Sequence, residues 1–347
     1  MSKFKQFFHK LFHWEYWPFG VVYFPALFFW AYWAFKAKRV FFFLPSNPGI
    51  KNAGFLLESK KEIYNLIDKQ HIPATILLSP SASIGDIKEK MQQAVIQFPC
   101  IAKPDIGMKG LAVSLLKNDS DLRNYLSNIQ LDFLIQEFIS WPEEAGIFYY
   151  KIPGENQGKI SGIVSKEFLT ITGDGVSTLE TLLKKNPRHQ FQMTALQKLY
   201  GQKLKLVLAN GELKTLVPYG NHARGAKFTD TSYWTDGALT TVINSVCNNI
   251  PGFYYGRLDI KYNTLEELKQ GINFSIIELN GAGSEPTHIY DPSHSLFFAW
   301  KEINRHYKIL YQISIANHKL GHPHMSVREG MKMLRENTKL VKKLHAF

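Results

Sequence analysis

Two pairs of polar residues inside apolar stretches carry the clearest chemical signal in the sequence. Arg257 and Asp259 lie in Gly-Arg-Leu-Asp, and Glu278 and Asn280 lie in Glu-Leu-Asn after Phe-Ser-Ile-Ile. Because alternate residues of a strand point to one face, the members of each pair should project together. Asp, Glu and Asn supply the hard oxygens that Mg²⁺ requires, and Arg offers a planar fork for a phosphate or a carboxylate. The alternative is a pair of half-exposed strands whose acids face water.

A lysine and two glycines form a second candidate. Lys103 ends a short apolar run, and the loop after it holds Gly107, Lys109 and Gly110. A fixed ammonium beside glycine backbone that can approach an anion closely suits a polyphosphate. The loop matches neither GxxxxGK[ST] nor GxGxxG. Taken alone, it could equally be a glycine-containing hairpin.

A third candidate starts at Gln136. We interpret Glu137, Phe138 and Ile139 as the end of a strand whose backbone could pair with a flat base. The turn after it would hold Glu144, or its neighbour Glu143, where a carboxylate could bind ribose hydroxyls. An ordinary strand followed by an acidic turn is the alternative interpretation.

The apolar spacing around these residues predicts short strands mixed irregularly with helices, which favours an α+β fold. We expect strands at 40–44, 75–78, 98–103, 111–116, 133–139, 160–168, 204–208 and 272–279. Helices are expected at 57–69, 86–96, 119–127, 178–183, 236–249 and over most of the chain from 294. Ser326 and Glu329 form a capping box for the last of them.

The bulk composition limits the class of protein. A chain of 347 residues with 45% hydrophobic residues can bury the cores of two or three units, and its net charge of +12 suits an anionic partner. No nucleic-acid-binding motif is present, so we expect no nucleic-acid partner. Only Cys100 and Cys247 are present, which favours a reducing, cytoplasmic location.

The amino-terminal arm is unusual. Residues 18–35 carry no charge, are rich in aromatic side chains, and are flanked on both sides by lysines. Aromatic rings with flanking cations favour the headgroup boundary of a membrane. We therefore predict an interfacial or re-entrant anchor on the inner face of the cell membrane. A full transmembrane span and an apolar arm packed on protein are the alternatives.

Taken in order, these motifs resemble the ATP-grasp superfamily, and the D-alanine–D-alanine ligase type most of all. The resemblance runs from about Asn52 to Tyr290 and is most specific at the Arg-x-Asp and Glu-x-Asn pairs. It implies two α+β subdomains that grip ATP, preceded by a small α/β unit and an apolar N-terminal helix. The expected divisions are 1–39 for the arm, 40–97 for the small unit, 98–293 for the ATP-grasp domain, and 294–347 for C-terminal helices with a basic tail.

The resemblance also implies roles for individual residues. Two magnesium ions, which manganese could replace, would be held by Asp259, Glu278 and Asn280, while Arg257 would stabilise the transferred phosphoryl group. Nucleotide contacts would come from Lys60 (or Lys61), Lys103, Gly107, Lys109, Gly110, Glu137, Phe138, Ile139 and Glu144. A likeness to cyanophycin synthetase-like enzymes adds Arg224, in Asn-His-Ala-Arg-Gly-Ala, as a nucleotide or substrate contact. In that branch's Gly-Asp-Gly segment we expect a structural turn at Asp174.

The implied activity is ADP-forming ligation, in which ATP activates a carboxylate as an acyl phosphate for attack by an amine. Small-molecule or lipid-linked acids and amines are the expected substrates, and the oligomeric state is left open, with a dimer among the options. The short unit before the motifs and the segment from Gly281 to His288 depart from the D-alanine ligases, which puts that substrate in doubt. An ATP-grasp kinase and a membrane-associated nucleotide-binding protein without ligase activity are the alternatives.

Overall fold

The computed structural model describes residues 13–108, 110–217, 226–345 and 347. Its helices are α1 (Phe19–Ala37), α2 (Lys60–Leu66), α3 (Ile84–Gln93), α4 (Asp119–Asn128), α5 (Leu179–Lys185), α6 (Pro187–Gln190), α7 (Met193–Tyr200), α8 (Gly237–Asn248), α9 (Leu265–Gln270), α10 (Leu296–Lys319) and α11 (Val327–His345). Its strands are β1 (Thr75–Leu78), β2 (Cys100–Pro104), β3 (Ser114–Leu116), β4 (Phe133–Glu137), β5 (Glu143–Tyr150), β6 (Lys159–Glu167), β7 (Leu169–Thr172), β8 (Leu213–Val217), β9 (Lys227–Asp230), β10 (Tyr255–Tyr262) and β11 (Phe274–Asn280). Short 3₁₀ turns lie at Trp14–Tyr16, Leu44–Ser46, Lys51–Gly54, Lys69–His71, Gly201–Lys205, Ser232–Trp234 and Thr287–Tyr290.

The strands form two antiparallel sheets and a small hairpin. The first sheet has the order β1-β4-β2-β3, the second has the order β11-β10-β5-β6-β9, and β7 pairs with β8. Neighbouring strands are antiparallel throughout, and helices lie between them in sequence, so the predicted α+β class is correct. Strand β1 comes from the predicted unit 40–97 yet pairs with β4, so that unit shares a sheet with the residues that follow it.

Each sheet buries one apolar face under helices. Leu78, Ile135 and Phe133 of the first sheet pack with Ile87 of α3 and Leu122 of α4. In the second sheet, Ile147 and Leu258 pack with Leu239 and Ile243 of α8. The alternation of inward and outward residues along β5 and β10 then decides which side chains remain on the opposite face.

That opposite face of the second sheet is covered in part by α10. Phe148 of β5 and Tyr255 of β10 pack in one cluster with Ile309 and Ile313 of α10. Helix α1 lies along α10, with Val22 and Ala26 buried against its first turns. Among the described residues, no helix is long and apolar enough to cross a membrane.

Two of the predicted strands are wrong. Residues 40–43 form turns rather than a strand. The chain continues into a second turn that the Asn47 side chain holds, since its Nδ2 donates to the carbonyls of Ala53 and Tyr255. Residues 204–208 contribute a 3₁₀ turn and one isolated bridge from Val207 to Thr178. The acidic turn predicted around Glu143 is also wrong, because these residues begin β5 and pair with the end of β10.

Candidate functional site

The two polar pairs face each other across the ladder between β10 and β11. Arg257 lies directly opposite Asn280, and Asp259 lies directly opposite Glu278. A register shift follows at Asp259, which locally disturbs the ladder. The sequence spacing predicts that the two members of each pair share a face of their strand. The strand register then places the two pairs directly opposite each other.

Asp259 is the centre of a buried ion-pair network. The Arg257 guanidinium donates to both of its oxygens, with Nε to Oδ1 at 3.0 Å and Nη2 to Oδ2 at 3.1 Å. Lys166 Nζ lies 3.1 Å from Asp259 Oδ1 and 2.9 Å from Glu144 Oε1. Burial alone would raise the pKa of Asp259, but Arg257 and Lys166 outweigh burial and hold it below the usual value. Asp259 is therefore ionised at neutral pH.

A glycine makes room for this network. Gly146 of β5 pairs with Asp259, and a Cβ at that position would lie 3.1 Å from Asp259 Oδ1 and 3.1 Å from Arg257 Cδ. It would also lie 2.9 Å from Val164 Cγ1, which real Cβ atoms essentially never do. The bidentate Arg257–Asp259 pair thus depends on a missing side chain on the neighbouring strand.

The first sheet contributes Lys103. Its Nζ donates to Tyr64 Oη at 2.8 Å, to Gln136 Oε1 at 2.8 Å and to the Ile277 carbonyl at 3.2 Å. The last of these bonds joins the two sheets, one residue before Glu278. Burial lowers the pKa of Lys103 to about 8, and the charges of Glu278 and Asp259 only partly oppose that shift.

The structure separates the two candidate lysines of α2. Lys60 Nζ lies 3.9 Å from Glu278 Oε1 and donates to the Gly107 carbonyl at 3.1 Å. Lys61 instead donates its Nζ to the Thr75 carbonyl at 2.9 Å. Lys60 therefore joins the predicted phosphate loop to the polar pairs, whereas Lys61 is bonded to the edge of the first sheet.

The residues predicted to hold magnesium fit a hard cation. Asp259 and Glu278 lie directly opposite each other and both offer the carboxylate oxygens that a hard cation prefers. Both oxygens of Asp259 already accept from Arg257, so a cation there would compete with that ion pair. Asn280 Nδ2 is buried and has no hydrogen-bond partner among the described residues, and a half-turn of the amide would put its oxygen there. Across the part of the chain that the structure describes, no three His, Cys, Asp or Glu side chains form a metal cluster. The predicted ligands Asp259, Glu278 and Asn280 include only two such side chains.

The predicted nucleotide-base platform follows β4. Strand β4 ends at Glu137, so Phe138 and Ile139 are the first residues beyond it. The backbone N–H of Glu137 donates to the Ala74 carbonyl at 2.8 Å and is therefore already paired. Lys261 Nζ lies 6.0 Å from the Phe138 ring centroid and 5.0 Å from that of Phe168. An apolar surface with one cation therefore borders this strand end.

Glu144 lies in a different environment from the one predicted. It is a buried residue of β5, 4% exposed, and its carboxylate pairs with Lys166. Glu143, the first residue of the same strand, is exposed. A ribose contact by Glu144 would therefore compete with its ion pair, whereas Glu143 offers a free approach.

Two predicted contacts lie outside the described residues, namely Lys109 and Arg224. Gly110, at the end of the predicted phosphate loop, has a φ of 68°, a conformation that favours glycine. The Gly-Asp-Gly segment has the predicted structural role. Asp174 accepts from the backbone N–H of Val176 and Ser177, and Thr178 caps α5.

Three contributing residues are absent from the sequence-based set. Lys166 forms ion pairs with Glu144 and Asp259 in the buried network. Tyr64 and Gln136 accept hydrogen bonds from Lys103. The sequence signal for Lys166 is its place at the end of the apolar run Gly-Ile-Val-Ser-Lys. Strand alternation puts its side chain on the polar face of the second sheet. Gln136 begins the Gln-Glu-Phe-Ile motif, but the sequence assigns it no role; Tyr64 lies on α2 four residues after Lys60.

Comparison with known protein families gives a match over part of the chain. Residues 58–169 match the RimK-like ATP-grasp domain family. This range holds α2, the first sheet with Lys103, and β5 and β6 with Glu144 and Lys166. This part of the chain is therefore similar to an ATP-grasp domain, the superfamily that the ordered motifs resemble.

Solved structures to which the chain is similar include three ligases or synthetases. The D-alanine–D-alanine ligase of Bacillus anthracis is 13% identical with a TM-score of 0.41, and the alignment covers 76% of this chain and 67% of that one. The VanG D-Ala:D-Ser ligase of Enterococcus faecalis is 10% identical with a TM-score of 0.44, covering 76% and 62%. The bifunctional glutathione synthetase of Pasteurella multocida is 13% identical with a TM-score of 0.37, covering 73% of this chain and 37% of that protein. A search of curated protein sequences found no match.

Proposed function

We propose that this protein is an ATP- and magnesium-dependent ligase that joins a carboxylate to an amine and releases ADP and phosphate. The observation that supports the proposal most is that Lys60 faces Glu278 and Arg257 binds Asp259, two acids directly opposite each other. Lys103 binds the carbonyl of Ile277, the residue before Glu278. Cations from both sheets therefore lie close to two opposed acids. That combination suits a polyphosphate bound together with its metal.

The first step of the proposed reaction transfers the γ-phosphoryl group of ATP to the substrate carboxylate. The substrate carboxylate oxygen attacks the γ-phosphorus, the bond from that phosphorus to the β,γ-bridging oxygen breaks, and ADP leaves with the electron pair. Lys103 and Lys60 place positive charge where the phosphates lie, and Arg257 faces the transferred group. Magnesium held by Asp259, Glu278 and Asn280 would offset the charge of the β- and γ-phosphates.

The second half of the reaction forms the new bond. The amine nitrogen attacks the acyl carbon, the bond from that carbon to the phosphate oxygen breaks, and inorganic phosphate leaves while the nitrogen loses a proton to solvent. One oxygen of the original carboxylate therefore ends in phosphate. This atom transfer distinguishes a ligase from a kinase, whose product keeps the phosphoryl group.

The test measures ADP release by the full chain with magnesium and ATP against pools of amino acids, dipeptides and small acids. A stimulating pool is then repeated with ¹⁸O-labelled carboxylate, and the ligase requires label in the released phosphate. A phosphorylated product without an amine requirement would identify a kinase instead. ATP binding without stimulated release by any pool, with or without added lipid extract, would overturn the proposal in favour of a nucleotide-binding protein.

A matched pair of variants links the activity to the site. Glu278→Gln should lower stimulated ADP release by about 100-fold, because it removes a metal ligand and a charge that faces Lys60. Glu266→Gln makes the same chemical change at an exposed position of α9 and should leave the rate unchanged. Equal activity of the two variants would contradict the assigned role of Glu278.

A further inference from the structure

Helix α1 is fixed to the protein along one face. Trp33 Nε1 donates to Asn304 Oδ1 at 2.9 Å, and Trp300 Nε1 donates to the Val22 carbonyl at 2.9 Å. Val22 is 2% exposed and Ala26 is 1% exposed, both against α10. These contacts are spread from the first to the last turns of α1, so the helix is fixed to α10 along its length.

The opposite face of α1 consists of large apolar side chains open to solvent. Their exposed fractions are 52% for Val21, 61% for Phe24, 63% for Leu27, 67% for Phe28, 50% for Tyr32 and 83% for Phe35. At roughly 100° per residue, these positions fall within an arc of about 140°. They therefore form one continuous apolar strip, which we call the α1 strip. Contiguous apolar surface of this kind marks an interaction site.

The charge around the α1 strip is of one sign. Lys36, Lys38 and Arg39 are exposed at its end, and between residues 16 and 57 the sequence holds no Asp or Glu. Lys36 Nζ lies 5.3 Å from the centroid of the Tyr32 ring, within the strip. The surface therefore pairs aromatic side chains with cations.

Helix α11 contacts the end of α1 and is also rich in cations. Its Met333 is buried in one cluster with Trp33 and Ala37, next to the end of α1. Its exposed cations are Arg328, Lys332, Arg335, Lys339, Lys342 and Lys343, and its acids are only Glu329 and Glu336. Helix α11 therefore has more cations than acids, and its Met333 turn lies next to the end of α1.

We propose that the α1 strip binds the headgroup–acyl boundary of an anionic membrane, with α1 parallel to the membrane plane and its inner face still on α10. Aromatic side chains favour that boundary, and the neighbouring lysines and arginines can reach lipid phosphates. A second copy of this chain fits less well, because an isologous contact would bring the same cationic surface onto itself. The proposal is independent of the proposed ligase activity.

The first test is flotation of the full chain with vesicles of phosphatidylcholine alone or with about 30% phosphatidylglycerol. We expect binding to the anionic vesicles to be at least about tenfold stronger. The triple variant Phe24→Ser, Phe28→Ser, Phe35→Ser should lose at least about tenfold in binding. A control with Val176→Ser, Leu199→Ser and Tyr233→Ser, at residues 83%, 69% and 80% exposed, should bind as the unchanged chain does.

The second test measures depth, and it also serves if the triple variant does not fold. Both native cysteines are buried, so Phe24→Cys, Phe28→Cys or Phe35→Cys can each carry a single fluorescent label. Positions 24 and 35 are about 16 Å apart along a helix axis. Quenching by lipids brominated at known depths should therefore place all three labels at one shallow level.

Three results would overturn the proposal. They are equal binding to neutral and anionic vesicles, depths that differ by about the full axial separation, and no vesicle binding with self-association that the triple serine variant abolishes. The last result would assign the α1 strip to a second copy of the chain.

Discussion

Replacing Lys166 by methionine should leave Glu144 as a buried carboxylate without its cation. The side chains of Lys166 and Glu144 are each 5% exposed, so solvent does little to screen the loss. Asp259 keeps both bonds from Arg257, so most of the cost falls on Glu144. Breaking a buried pair from one side costs about 3–5 kcal/mol. Because only one of the two acids loses its partner, we expect the lower end, about 3 kcal/mol of unfolding free energy.

Urea titration followed by circular dichroism measures this change, and the chain offers a matched control. Lys227 pairs with Glu167 at 2.8 Å, but these side chains are 45% and 55% exposed. Lys227→Met should therefore cost less than about 1 kcal/mol. Adding Glu144→Met to Lys166→Met should recover most of the lost stability, since neither charge then remains buried alone. A Lys166→Met variant as stable as the Lys227→Met variant, or a double variant no better than the single, would refute this account of the network.

Further predictions concern nucleotide binding and packing. Because burial lowers the pKa of Lys103 to about 8 in the free protein, and a bound phosphate favours the charged lysine, ATP binding must take up a proton above that pH. The Kd for magnesium-ATP, measured by calorimetry, should then rise by up to about tenfold per pH unit above 8, and a flat profile would contradict the assignment. Lys60→Ala should weaken ATP binding by at least about tenfold while Lys61→Ala changes it little, because only Lys60 faces Glu278; equal effects would exclude this distinction. Gly146→Ala should destabilise the protein by about 1–3 kcal/mol through overpacking against Val164, whereas Gly237→Ala, where a Cβ meets nothing within 4 Å, should not; thermal denaturation compares the two.

The chemistry of the polar pairs could be predicted from sequence because strand parity is a local property. Residues two apart in a strand share a face whatever the rest of the fold does, so Arg257 and Asp259 were expected to meet. Their position opposite Asn280 and Glu278 depends on the register between β10 and β11. Register is set by long-range packing and by the shift at Asp259, neither of which has a local sequence signal.

The missed residues share a physical cause. A lysine within a strand is ordinarily solvent-exposed, and the apolar residues before Lys166 are only a weak local sign of its burial. Its burial depends on Glu144 and Asp259, which lie on two other strands. The prediction of a turn at the start of β5 is wrong because the first two residues of this strand are acids. Acids are depleted in strands unless partners pair with them. In both cases the deciding interaction is tertiary.

The arm and the candidate site are parts of one packed unit. Along β10 the same face carries Tyr255 under α10 and then Arg257 and Asp259 in the site. Arg257 Nη1 donates to the Glu285 carbonyl at 3.2 Å, and the Glu285 carboxylate accepts from Tyr290 Oη at 3.0 Å.

Tyr290 in turn contacts Trp14 of the amino-terminal arm. The Tyr290 ring stacks on Trp14, with 5.7 Å between ring centroids. Removing residues 1–39 would therefore take away both the α1 strip and the packing behind Tyr290 and Glu285. Such a truncation should lower stability and disturb Arg257 even if the membrane has no part in function. Substitutions confined to the outward face of α1 leave these inner contacts in place, and they are the perturbations that separate membrane binding from the integrity of the site.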